Sequence, residues 1–297
     1  MASIVKDKPN FTKNGQAERT RVGTYTLPTK KNIPPQNLSD SIIFLYGRKG
    51  IGKTSLAAQF DRALVTMFER GRRNLPIMMV PQEGEPRLTW EAFRGYAEAF
   101  CESEEFDTLT VDTVDKAYEA CLEYVCKENN CIHPNDKNDF GKTWGLIKRE
   151  FDSVLGAIHD SGKGLILLSH ETPKPLAKTT KGLRRDEGVQ GSILERMEPS
   201  CSKQAFEVIQ EICDYVFYYG YRDEYRCLTV RSPNDLVWTS CGVGDRFLSP
   251  EGEPLCTFKV GSSPEAAYES LINAYENKTY DFDYVAPKEK PSFKKGV

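Results

Sequence analysis

Long apolar runs are missing from this chain. Nowhere in its 297 residues does an apolar stretch approach the roughly 20 residues that a helical membrane span requires, so no membrane partner is expected. An excess of one charge is missing too. With 40 basic against 43 acidic residues the formal net charge is −3, so any nucleic-acid site must be a local patch. The nine cysteines lack a regular disulfide framework and no apolar segment opens the sequence, which together lead us to expect a reducing cytoplasm. Cys121, Cys126 and Cys131, with His133 beyond them, are spaced too widely for a typical structural zinc site. Half-buried helix cysteines are the expectation there, with zinc the competing reading. No internal repeat is visible.

Against that plain background one stretch stands out. Residues 47–55 read GRKGIGKTS, directly after the apolar run SIIFLY and before LAAQF. Gly47, Gly52, Lys53 and Thr54 sit at the spacing G-x-x-x-x-G-K-[ST], and the flanks read strand and then helix, the context a phosphate-binding loop requires. The loop Gly47, Arg48, Lys49, Gly50, Ile51, Gly52, Lys53, Thr54, Ser55 is therefore the candidate nucleotide cradle. Its glycines would let backbone N–H groups turn around a phosphate, at the positive end of a helix over about 53–60. Lys53 is expected to reach the β- and γ-phosphates and Thr54 to hold Mg²⁺.

Around the loop the apolar pattern alternates in the α/β manner. Strands are expected at 41–46, 63–68, 106–112 and 164–169, with a short apolar piece at 76–80 and two late strands in DYVFYYGY and YRCLTVRS. Helices are expected over about 89–102, 114–128, 143–160, 202–212 and 263–277, the last with Ser263 as N-cap and Pro264 at N1. Short apolar runs between amphipathic helices predict a mostly parallel sheet buried on both faces. The late strands, close together around RDE, predict an antiparallel hairpin at its side. Residues 1–40, with seven basic residues against three acids, read as a polar arm. The core then spans 41–262, and 263–297 form a terminal helix with a basic tail.

A P-loop ATPase also needs a carboxylate near Mg²⁺ and a base for the attacking water, both offered at strand ends. Asp112 closes LTVD and is the metal candidate, acting through water. Asp115 is the alternative, otherwise an ordinary first-turn acid. Glu69, closing the second strand in VTMFERG, is the candidate general base. His170 ends LILLSH, where an imidazole can bond the γ-phosphate and report it to the loop that follows.

The segments SIIFLYGRKGIGKTSLAAQF, VTMFERGRR, FDTLTVDTVDKAYE and GLILLSHETPK, in this order and spacing, resemble the AAA-family nucleotide-binding proteins of tailed phages, a RecA-like group that includes Sak-type single-strand annealing ATPases. The resemblance covers about residues 38–260. It implies a RecA-like core, Mg²⁺-dependent ATP hydrolysis, a role in phage DNA recombination or replication, and hence the host cytoplasm. It also supports Glu69 as the catalytic acid, while His170 stands where recombinases usually carry Gln. The expected partners are single-stranded DNA, a single-strand DNA-binding protein, and further copies of the chain in a ring or filament.

In such folds the loop after the sensor strand faces DNA. Here it reads ETPKPLAKTTKGLRRDEG, with Lys174, Lys178, Lys181, Arg184 and Arg185 against one acid between 171 and 185, a patch suited to gripping phosphates without reading bases. It lacks aromatic residues, and Phe140 in DKNDFGK offers a second, weaker stacking site. Arg222, Arg226 and Arg231 on the late hairpin are the candidates for a finger reaching a neighbour's γ-phosphate. Two further readings compete with the recombination one: an ATP-gated assembly protein such as a helicase loader, and a small-molecule kinase with KGLRRDEG as its lid. A GTPase is discounted, because NDKND at 135–139 precedes a helix where a base-reading motif would follow a strand.

Overall fold

The computed structural model describes residues 35–69, 74–136, 138–175, 195–232, 236–241 and 244–278. Its central strand, β1 (Ile42–Gly47), is buried along its whole length. The reason lies in its alternation: Ile42, Phe44 and Tyr46 point into one apolar cluster and Ile43 and Leu45 into a second on the opposite face. A strand apolar on both faces can only be internal.

Beside β1 lie β5 (Gly164–Pro175) on one flank and β7 (Tyr215–Arg222) on the other, both parallel to it. Beyond β5 come β4 (Thr108–Asp112), β2 (Ala63–Met67) and the short β3 (Met79–Val80), all parallel. Beyond β7 the chain turns back through Asp223 and Glu224 into β8 (Tyr225–Thr229), the expected antiparallel hairpin. A last strand, β10 (Thr257–Lys259), pairs with β8, and β9 (Ser240–Cys241) with β7. Neither shows in the sequence pattern, because two or three residues carry no period.

Four helices cover one face: α2 (Trp90–Glu102), α3 (Val114–Glu128), α4 (Lys142–Asp160) and α5 (Lys203–Ile212). The caps are those the sequence offers, with Thr89, Ser202 and Ser263 side chains each accepting the N–H three residues on. On the other face α6 (Pro264–Tyr275) seats Ala267, Leu271, Ala274 and Tyr275 beside α1 (Lys53–Ala57). Lys163 braces the start of β5 by donating to the carbonyls of Phe100, Ser103 and Phe106.

Two expectations change. Helix α1 stops at Ala57 instead of reaching 60, and the chain swings into β2 through Arg62 at φ 42°, whose guanidinium pairs with Asp107. So short a helix has little macrodipole, which leaves any phosphate to the backbone N–H groups and Lys53. The polar segment after His170 is no loop at its start: β5 continues to Pro175 and pairs antiparallel with β6 (Glu195–Pro199). Pro173 and Pro175 alternate on the edge away from β6, because the His170 carbonyl accepts from Ser200 N–H and fixes which residues face that partner. Proline is tolerated there because no ladder donor is lost. The Tyr46 hydroxyl bridges the main chain of Met197 and Trp238, tying β6 back to β1.

Candidate active site

Gly47, the last residue of β1, sits opposite His170 of β5 and Tyr219 of β7. A Cβ on Gly47 would lie 2.0 Å from the Tyr219 carbonyl oxygen, so only glycine lets the loop leave the sheet here. The chain then passes over exposed Arg48, Lys49 and Gly50, buries Ile51, and turns into α1 through Gly52 at φ 110°, a conformation that favours glycine. Ser55, on the first turn, is half-buried.

Lys53 and Thr54 are 4% and 1% exposed, unusual values for a lysine and a threonine at a helix start. The Lys53 ammonium donates to the carbonyls of Gly47 at 2.7 Å and Arg48 at 3.0 Å, and lies 3.4 Å from His170 Nδ1. The Thr54 hydroxyl donates to Asp112 Oδ2 at 2.6 Å. Hydroxyl and carboxylate, both hard oxygen donors, are the set that suits Mg²⁺.

Glu69 follows β2, with its N–H bonded to the Asp112 carbonyl. Its Oε1 lies 2.7 Å from His170 Nε2 and accepts from Thr113 Oγ1 at 3.3 Å. The hydrogen bond from His170, helped by its charge and that of Lys49, holds the carboxyl well below its usual range, at about 2, against the opposing effect of burial. One imidazole thus touches both the P-loop lysine and the strand-end glutamate.

The structure brings together Lys53, Thr54, Glu69, Asp112 and His170. Asp115 is engaged by a different partner: its Oδ1 accepts from the Ser200 hydroxyl at 2.6 Å, tying α3 to the end of β6. Thr113 and Ser200 were missed from the sequence. Thr113 had one signal, its place directly after the strand-end acid; Ser200 had none.

Of the basic patch, Lys174 lies on β5 in an ion pair with Glu198 at 2.5 Å, while Lys178, Lys181, Arg184 and Arg185 fall outside the described residues. Phe140 is 97% exposed at φ 55°. Among the three arginines, Arg231 donates to the carbonyls of Arg246, Phe247 and Leu255 and is a structural brace. Arg222 is exposed near the hairpin turn, and Arg226 lies beside its own P-loop. Cys121 and Cys126 are buried in α3, and burial raises the Cys121 thiol far above its usual range. No group of three or more metal-ligating side chains occurs among the described residues.

Residues 39–256 match the family described as AAA domain. Over 144 residues the chain is 22% identical to the SPbeta prophage-derived uncharacterized protein YorG of Bacillus subtilis (strain 168), a match covering 47% of this chain and 43% of that protein. The chain thus spans less than half the length of this curated relative. Among solved structures, a KaiC-like protein, PH0186 from the archaeon Pyrococcus horikoshii OT3, matches with a TM-score of 0.40 and 11% identity, over 77% of this chain and 88% of that one. No helix among the described residues is long and apolar enough to cross a membrane.

Proposed function

The chain belongs to the AAA-domain family, and from that premise we propose that it is a RecA-like, Mg²⁺-dependent ATPase that works on single-stranded DNA in phage recombination or replication. The observation that carries this reading is His170, which contacts Lys53 and Glu69 from a strand that continues into the β5–β6 ribbon. In sequence, the basic residues 178–185 lie between the two strands of that ribbon. The prophage origin of the relative supports a phage setting.

Mg²⁺, when bound, supplies charge neutralisation at the phosphates, and Thr54 and Asp112 are the residues that would hold it. The chain's own groups do the rest. Lys53 meets the β/γ-phosphate charge from a buried position, where an ammonium counts for more than in water. Glu69 is the proton acceptor for the attacking water. While His170 and Thr113 bond its Oε1 the carboxylate is a weak base, and drawing His170 toward a phosphate oxygen would restore its basicity. The same movement would be felt at the His170 carbonyl, which holds Ser200 and through it Asp115.

The test is ATP turnover with and without single-stranded DNA, run alongside annealing of complementary strands. Stimulated turnover with accelerated annealing supports the proposal. Slow, DNA-indifferent turnover with nucleotide-dependent oligomerisation would favour an assembly or helicase-loader role, and phosphoryl transfer to a metabolite would favour a kinase.

A further inference from the structure

The two flanks of β1 carry different chemistry. Glu69, Asp112 and His170 all arrive from the β5, β4 and β2 side. With the terminal phosphate on that side of Lys53, as the proposed function has it, the α-phosphate, ribose and base of a nucleotide would leave across the loop toward β7 and β8. There Arg226 and Tyr219 meet the loop: a side chain on Gly52 would begin 3.8 Å from Arg226 Nη1 and 4.0 Å from the Tyr219 hydroxyl.

Arg226 is held in place by neutral groups. Its Nε lies 3.5 Å from the Tyr221 hydroxyl and its Nη1 donates to the Ser262 carbonyl at 3.2 Å. Among the described residues no carboxylate pairs with it, unlike Arg62, which pairs with Asp107. The hydrogen bonds of the guanidinium lie at the surface, Tyr219 is buried, and Tyr221 is about half exposed. A planar cation fixed among tyrosines and lacking a counter-charge suits a flat, electron-rich ring and ribose hydroxyls, which a guanidinium binds by stacking and hydrogen bonding.

We infer that Arg226, with Tyr221 beside it and the buried Tyr219 behind it, forms the wall against which the base and ribose of the bound nucleotide rest. The inference builds on the P-loop reading of residues 47–55. It gives Arg226 a role within its own chain, and leaves Arg222 as the hairpin arginine free to reach outward.

The experiment is calorimetric titration of ATP, ADP and inorganic tripolyphosphate, each with Mg²⁺, into wild type, Arg226→Ala and Arg226→Lys. Arg226→Ala is expected to weaken ATP and ADP about fivefold, the scale of one surface cation–π contact, and to leave tripolyphosphate within about twofold. Retained tripolyphosphate binding also certifies the fold of the variant. Arg226→Lys, which keeps the charge but loses the planar group, should recover part of the loss. In steady state KM rises while kcat holds. Unchanged ATP affinity would overturn the inference. Equal weakening of ATP and tripolyphosphate would overturn it too, by making Arg226 a phosphate ligand. If wild type bound neither ligand, the P-loop reading itself would fall, and this inference with it.

Discussion

The flank of β1 that faces β5 and the flank that faces β7 differ in how their polar groups are satisfied. On the β5 side each functional side chain already has a partner in the site: Lys53 with the Gly47 and Arg48 carbonyls, Thr54 with Asp112, Glu69 with His170 and Thr113. On the β7 side the groups are aromatic rings and an arginine with neutral neighbours. A closed network of charges suits chemistry, because its donors and acceptors are aligned before a reaction begins. An arginine among tyrosines suits recognition of a ring. The comparison predicts that variants of the first flank lower kcat and variants of the second raise KM.

The largest break should come from Lys53→Ala, which removes the side-chain cation buried under the loop. ATP turnover is expected to fall below detection and ATP affinity to weaken; wild-type phosphate release from this variant would remove the P-loop from the account. Next in size is Asp112→Asn. Losing the charge that accepts the Thr54 hydroxyl should raise the Mg²⁺ concentration needed for half-maximal turnover by about 10- to 100-fold, read from a magnesium titration at saturating ATP.

Neutralising Lys178, Lys181, Arg184 and Arg185 together separates the proposed ATPase from its proposed contact with DNA. Basal turnover should survive, while affinity for single-stranded DNA falls and its logarithmic salt slope becomes shallower by about 0.7 for each DNA phosphate no longer neutralised. Equal loss of both activities would point to a lid over the nucleotide. The smallest effect is on acid stability. Glu69 is held at about 2 against an ordinary value of 4.5, so the folded state binds its proton later than the unfolded chain does. The stabilisation is complete above about 4.5 and fades as pH falls toward 2. Glu69→Gln should therefore narrow its stability gap from wild type across that window in acid denaturation.

Much of the fold was legible because the parallel strands are short apolar runs between amphipathic helices, and β1, β2, β4 and the first half of β5 each announce themselves. What escaped has specific causes. Pro173 and Pro175 read as loop residues, and only their alternate placement on the edge away from β6 makes a strand possible. The early stop of α1 depends on the Arg62 turn and its pairing with Asp107, 45 residues away. In the site, strand-end positions pointed to Glu69, Asp112 and His170 individually. Their hydrogen bonds to one another and to the loop, and the tie from Ser200 to Asp115, join residues 44 to 117 positions apart and leave no local signal.

We propose Glu69, bonded to His170, as the base of an ATPase. Its most direct measurement is single-turnover ATP hydrolysis by Glu69→Gln, with ATP binding determined on the same sample. Binding should be retained and hydrolysis slowed by about 10²-fold or more. Normal hydrolysis in Glu69→Gln, alongside an inactive Asp115→Asn, would contradict it and move the base to α3.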